Sequence, residues 1–116
     1  VAIDFTTDRG QVRLLTADLD ENAPLLTDGQ LDGYLALNTG AVLLAAADAL
    51  DAMATSETLV ARKIRTQDLA TDGPAVAAEL RAQATALRGR WAAENSDFTI
   101  VPAGGGTGYE AEEQRQ

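Results

Sequence analysis

The chain has 116 residues, enough for one domain with a modest core. Apolar residues make up 46% of it but aromatic ones only 4%, so burial has to come from Ala, Leu and Val, and a core of that kind gains from packing against further copies of the chain. Nine basic against eighteen acidic residues give a formal charge of −9, with no His and no Cys, which opposes general binding to a phosphate backbone and removes the common zinc sites, the thiol nucleophile, the imidazole base and any disulfide.

Taken in order, Val1 to Thr6 is short, mixed and extended. Thr7 is placed to cap a first helix from Asp8 to about Ala17, with Asp8 at the positive end of its dipole and Val12 and Leu15 as its apolar edge. Gly10 weakens its first turn. The acidic stretch from Asp18 to Pro24 reads as a loop. Asp18, Asp20 and Asn22 match the first ligand positions of an EF-hand, but Ala23 stands where that loop needs Gly and Gly29 where it needs Glu, so a solvated turn is the better reading. Thr27 followed by Gln30 makes a capping box, and Leu26 and Leu31 occupy the two positions of a hydrophobic staple. The second helix that starts there buries Leu31, Tyr34 and Leu35 and stops near Asn38-Thr39-Gly40, whose glycine suits a left-handed cap.

From Ala41 to about Lys63 runs the longest stretch free of Gly and Pro. Val42, Ala46, Ala49, Leu50 and Met53, continued by Val60 and Ile64, give it helical periodicity and predict one long central helix with an alanine-rich face that neighbours can approach from several sides. Residues 64–73 lose that periodicity and read as an extended connection. Pro74 then opens a last helix, capped by Thr71 or Asp72, whose stripe of Val76, Leu80, Ala84, Leu87 and Trp91 should pack along the central helix, with Arg81, Arg88 and Arg90 on its other faces. Beyond Asn95, residues 97–101 suit a short strand, Pro102 ends it, a glycine-rich linker follows and the chain finishes polar. The expected fold is therefore an all-α bundle of about four helices over residues 1–95, with an extended C-terminal tail over 96–116. No apolar run approaches the roughly 20 residues of a membrane span, and the opening does not read as a signal peptide.

Candidate chemistry is sparse. The glycines of residues 104–108 lack the Lys-Ser or Lys-Thr of a phosphate loop and read as a linker. Carboxylate pairs such as Asp48 with Asp51, or Glu112 with Glu113, belong to solvated faces rather than to acid–base catalysis. Neither a metal nor a cofactor is expected. Trp91 reads as a core or interface anchor, and Leu26, Thr27, Gln30 and Leu31 as structural. Arg62, Lys63 and Arg65 oppose the global charge where the central helix ends; there they serve its dipole or meet the acidic surface of a neighbouring subunit. With Ile64 and Leu69 of the connection and Phe98, Thr99, Ile100 and Val101 of the tail, they are the candidate interface residues.

The order of these pieces resembles the head-to-tail connector proteins of long-tailed double-stranded-DNA phages, also called adaptor or head-completion proteins. The pattern spans about Ile3 to Glu94: DFTTD at Asp4–Asp8 leading into VRLL at Val12–Leu15, the acidic Asp18-Leu19-Asp20 turn, PLLTDGQL at Pro24–Leu31, the alanine-rich helix, and KIRTQDLATDGPAV at Lys63–Val76 followed by Leu80, Ala84 and Leu87. The tail lies outside it. The resemblance implies a helical, non-enzymatic subunit of a dodecameric ring in the virion neck, made in the bacterial host cytoplasm. Such a ring docks beneath the portal, extends the DNA channel without binding DNA specifically, and receives the next connector, stopper or tail protein. The competing class is a small acidic protein-binding or DNA-mimic module, which accounts for the charge but gives the connection and the apolar tail segment no purpose. An enzyme has the least support, since no nucleophile–base pair or cofactor fingerprint is visible.

Overall fold

Alanine decides the centre of the molecule. Ala45, Ala46, Ala47 and Ala49 are wholly buried together with Leu50 and Met53, all on one helix whose small side chains let other helices come close. The computed structural model describes residues 2–66 and 72–96. They form five helices: α1 (Asp8–Thr16), α2 (Asp28–Leu37), α3 (Val42–Thr55), α4 (Glu57–Thr66) and α5 (Gly73–Glu94). No strand occurs among the described residues. The alanine-rich α3 packs against each of the other four. The domain is all-α, with the long α5 laid along α3.

The helix starts follow the local chemistry. Thr7 accepts a hydrogen bond from the Gly10 amide and caps α1. Thr27 and Gln30 form the reciprocal capping box of α2, at 3.1 and 2.8 Å, and the staple residues Leu26 and Leu31 are both buried. Asp72, the second of the two cap candidates, accepts from the Ala75 amide at 2.8 Å with Pro74 in the first turn of α5. Gly10 does more than weaken a turn. A Cβ there would stand 1.9 Å from the carbonyl oxygen of Asp4, so the N-terminal segment lies against α1 at a point where only glycine fits.

The ends of α1 and α2 are less orthodox. Ala17 takes the left-handed conformation (φ 56°), its amide and that of Asp18 donating to the carbonyls of Leu14 and Arg13 at 3.3 and 3.0 Å. Thr39 (φ 52°) does the same after α2, followed by Gly40 (φ 84°), whose amide reaches the Leu35 carbonyl at 2.8 Å. The glycine is left-handed as expected, but one residue beyond the position that bears the steric cost. Both ends are Schellman motifs closed by residues with a Cβ.

Two expectations are corrected. The central helix is not continuous from Ala41 to Lys63, because Ser56 is extended (φ −105°, ψ 113°) and separates α3 from α4. Ser56 closes one helix by donating its amide to Met53 O at 3.2 Å. It opens the next by accepting from the Leu59 amide on its hydroxyl at 3.2 Å and from the Val60 amide on its carbonyl at 3.0 Å. The polar run Thr55-Ser56-Glu57-Thr58 offers the backbone side-chain partners in place of the helical ladder. The turn also lets α4 reach back to α1 and its following loop, where Lys63 donates to Thr16 O at 3.1 Å and Arg62 to Pro24 O at 2.7 Å. The expected 64–73 connection is shorter for the same reason: residues 64–66 complete α4, and 67–71, with Leu69, lie outside the described residues.

Along α5 the predicted stripe faces inward. Val76, Leu80 and Ala84 are buried, Leu87 packs against the core's edge, and Trp91 is half-buried. Arg81 reaches the Ala54 carbonyl while Arg88 pairs with Asp48 and Asp51 at 3.0 and 2.7 Å, so α5 runs antiparallel to α3.

Candidate functional site

The densest polar cluster joins α1 to α2. Arg9 and Arg13 stand one turn apart on α1, and Asp28 and Asp32 one turn apart on α2. Like charges at that spacing oppose helix formation on either helix alone, and here they neutralise each other across the interface. Arg9 pairs with Asp32 at 2.6 Å and with Asp28 at 3.4 Å, and Arg13 with Asp28 at 2.8 Å. Asp18, after α1, is the innermost member. One of its oxygens accepts from Arg13 at 2.7 Å and from the Leu26 amide at 3.1 Å, the other from the Leu25 amide at 2.8 Å, and Arg13 also donates to Leu26 O at 3.0 Å. The side chains of Arg13 and Asp18 are 7% and 1% exposed, so this pair is effectively out of water.

That corrects the reading of residues 18–24 as a solvated turn at its first residue, whereas Leu19 to Pro24 are exposed. Asp18 is the staple that folds the loop back on α1, with both carboxylate oxygens committed to protein donors. No cluster of three or more potential metal ligands occurs among the described residues.

Beside this network a cleft of about 660 Å³ opens between the N-terminal segment, α1 and the loop entering α2. Asp4, Arg9, Arg13, Asp20, Glu21 and Asp28 line it. Its shifted carboxylates move away from the range a general acid needs. Hydrogen bonds from the Thr6 side chain and backbone hold Asp4 below the usual carboxylate value, and the Arg13 hydrogen bond does so for Asp28. Asp32, beside the cleft, is lowered by the hydrogen bond from Arg9.

The candidate interface residues separate into distinct environments. Lys63 is buried on Thr16 O, and its burial pushes the amine below its ordinary value against the opposing pull of Asp18. Arg62 is half-buried on Pro24 O and Ile64 packs against the core, which leaves Arg65 as the exposed member of the basic cluster. Phe98, Thr99, Ile100 and Val101 lie outside the described residues.

Composition gave no sign of which apolar residues stay outside. Phe5, Leu14 and Leu19 are 42%, 52% and 45% exposed, all on α1 or its flanks, and Leu37 at the end of α2 is 76% exposed. Arg9–Arg13 facing Asp28–Asp32 was legible in principle, since two helices that each repeat one sign at a spacing of four need each other. Compared with protein-family models, with curated proteins and with solved structures, the chain matches none.

Proposed function

We propose that this chain is a structural, non-catalytic subunit of the head-to-tail connector of a long-tailed double-stranded-DNA phage. In this reading it forms a ring, dodecameric by the family resemblance, that docks on the portal at the virion neck. The ring passes DNA through its centre without specific contacts and presents a platform to the next connector, stopper or tail protein.

The observation that carries the reading is how the molecule divides polarity. Phe5, Leu14 and Leu19 expose large apolar side chains on one helix and its flanks, in a domain most of whose described cations are held by carboxylates or backbone carbonyls. Arg9, Arg13 and Arg88 are spent in ion pairs between elements, and Arg62 and Lys63 on backbone carbonyls. The formal charge of −9 therefore lies on a surface with little positive potential to hold a phosphate backbone. An anionic wall lets DNA slide, and an apolar edge beside it gives subunits something to bury. The resemblance over about Ile3 to Glu94 supplies the family context, and the five-helix fold is compatible with it.

Light scattering on the purified chain, alone and with the candidate portal, tests this. The expected result is a large ring or a portal-bound assembly, lost on Leu14→Asp or Leu19→Asp while helical circular dichroism stays unchanged, since both positions are exposed. A monomer or dimer that ignores the portal would overturn the reading and favour the acidic binding module.

A further inference from the structure

The central helix α3 separates two sides of the molecule. On one, α1 and α2 pack on each other and on α3; on the other, α4 and α5 do the same, and neither α1 nor α2 packs against α5. The sides differ in surface charge. Asp4, Asp8, Asp20, Glu21, Asp28 and Asp32 are exposed on the first, against one exposed cation, Arg9, which Asp28 and Asp32 already hold. The other exposed cations among the described residues, Arg65, Arg81 and Arg90, all lie on α4 and α5, in company with Glu57, Asp72, Glu79 and Glu94.

Apolar relief differs in the same sense. Every exposed large apolar side chain described is on the acidic side. Gly10 shows how two of them line up: a Cβ there would stand 3.1 Å from the Cα of Phe5, so Phe5 lies over the face of α1 on which Leu14 stands one turn later. Leu19 follows beyond the end of the same helix. On α5 the outward face, opposite the buried Val76, Leu80 and Ala84, is formed by Ala75, Ala78, Ala82, Ala86, Gly89 and Ala93, all exposed. It runs for about 27 Å without a long side chain. Arg81 and Arg88 border one edge and Glu79 and Arg90 the other. A row of large side chains can lie directly against such a helix.

Charge decides which face of a second copy the α1 ridge meets. Ridge against ridge would crowd two acidic rims together, and like charges facing each other are repulsive. Ridge against α5 brings the acidic rim of one copy to the cations of the other. We propose that copies of this chain associate head to tail, with Phe5 and Leu14 of one copy packed on the outward face of α5 in the next and the acidic rim beside Arg81. Because the two faces are different, every pairing leaves one of each free, and repetition closes a ring or runs on as a filament. In naming the partner of the Leu14 side the proposal rests on the ring reading, although the pairing itself needs no portal.

The chain has no cysteine, so single thiols report on the contact cleanly. Full-length Leu14→Cys and Ala82→Cys chains are mixed and oxidised, and rates are corrected for each thiol's reactivity toward a small free disulfide. The mixed disulfide should form about tenfold faster than either self-disulfide, and the advantage should shrink as salt is raised. Arg81→Glu on the Ala82→Cys chain should bring the mixed rate down to the self rates with helicity retained, and Arg81→Lys should keep it. Equal rates for all three disulfides, a faster Leu14→Cys self-disulfide, or a mixed rate indifferent to Arg81→Glu would each overturn the proposal. Repeating the oxidation with the candidate portal separates the two ideas. A portal-bound assembly in which the two thiols do not pair sinks this contact and leaves the connector reading standing, whereas selective pairing in a chain that ignores the portal sustains the contact and sinks that reading.

Discussion

Asp18 shows how much one carboxylate can organise. Arg13 and Asp18 are both buried, and the amides of Leu25 and Leu26 depend on the same two oxygens. A pair like this adds little net stability compared with well-packed apolar side chains, but removing one member strands the other in a dry site. Asp18→Ala should therefore destabilise the domain by about 3–5 kcal/mol, read from a denaturant transition. Loss of the exposed Arg9–Asp32 pair by Arg9→Gln should leave the transition nearly unmoved. Equal effects would show that the Asp18 site is wet. Thr7, Thr27, Gln30 and Asp72 were legible in the sequence because a cap is a local bargain between a side chain and an amide three residues on. Asp18 was not, because its partners lie five to eight residues ahead or behind and depend on a loop that the carboxylate itself shapes.

At the scale of elements, the misread feature was the break at Ser56. Periodicity carries straight across it, since Met53, Val60 and Ile64 keep helical spacing and no Gly or Pro intervenes. What stops α3 is a side-chain cap together with the contacts α4 gains by turning, Lys63 on Thr16 and Arg62 on Pro24. These are tertiary matters that a helical pattern does not record. Ser56→Ala should lower stability by about 1 kcal/mol through loss of the cap, with helical circular dichroism unchanged. A rise in helicity and stability would mean that α3 and α4 fuse when the serine is gone, and that the cap alone keeps them apart. The packing of α5 along α3 was legible because its stripe is set by residues that stay apolar over about three turns, from Val76 to Leu87.

For the whole molecule, the shifted carboxylates and Lys63 all make stability rise with pH, in an acidic and an alkaline window. Asp4, Asp28 and Asp32 are held below 3.8 in the folded state, so their contribution is present above that value and is lost as pH falls through the folded values. Lys63 is lowered as well, below 10.5, but by burial, which disfavours its charged form. Between its folded value and 10.5 the unfolded chain holds that proton more tightly, so this group makes stability rise with pH across the interval. Thermal melts should show a fall below about pH 4 and an alkaline rise that Lys63→Met removes; an alkaline limb unaffected by Lys63→Met would mean that the amine is solvated. The wall of Ala45, Ala46, Ala47 and Ala49 has a different consequence. With four helices against it, each of these positions has room for a methyl group and little else, while loops and outward faces are free to change. Sequence divergence in a lineage of such proteins would thus be channelled away from α3 without leaving a distinctive residue there. Alanine is common in any helix, so distant descendants would share a pattern of smallness rather than a signature.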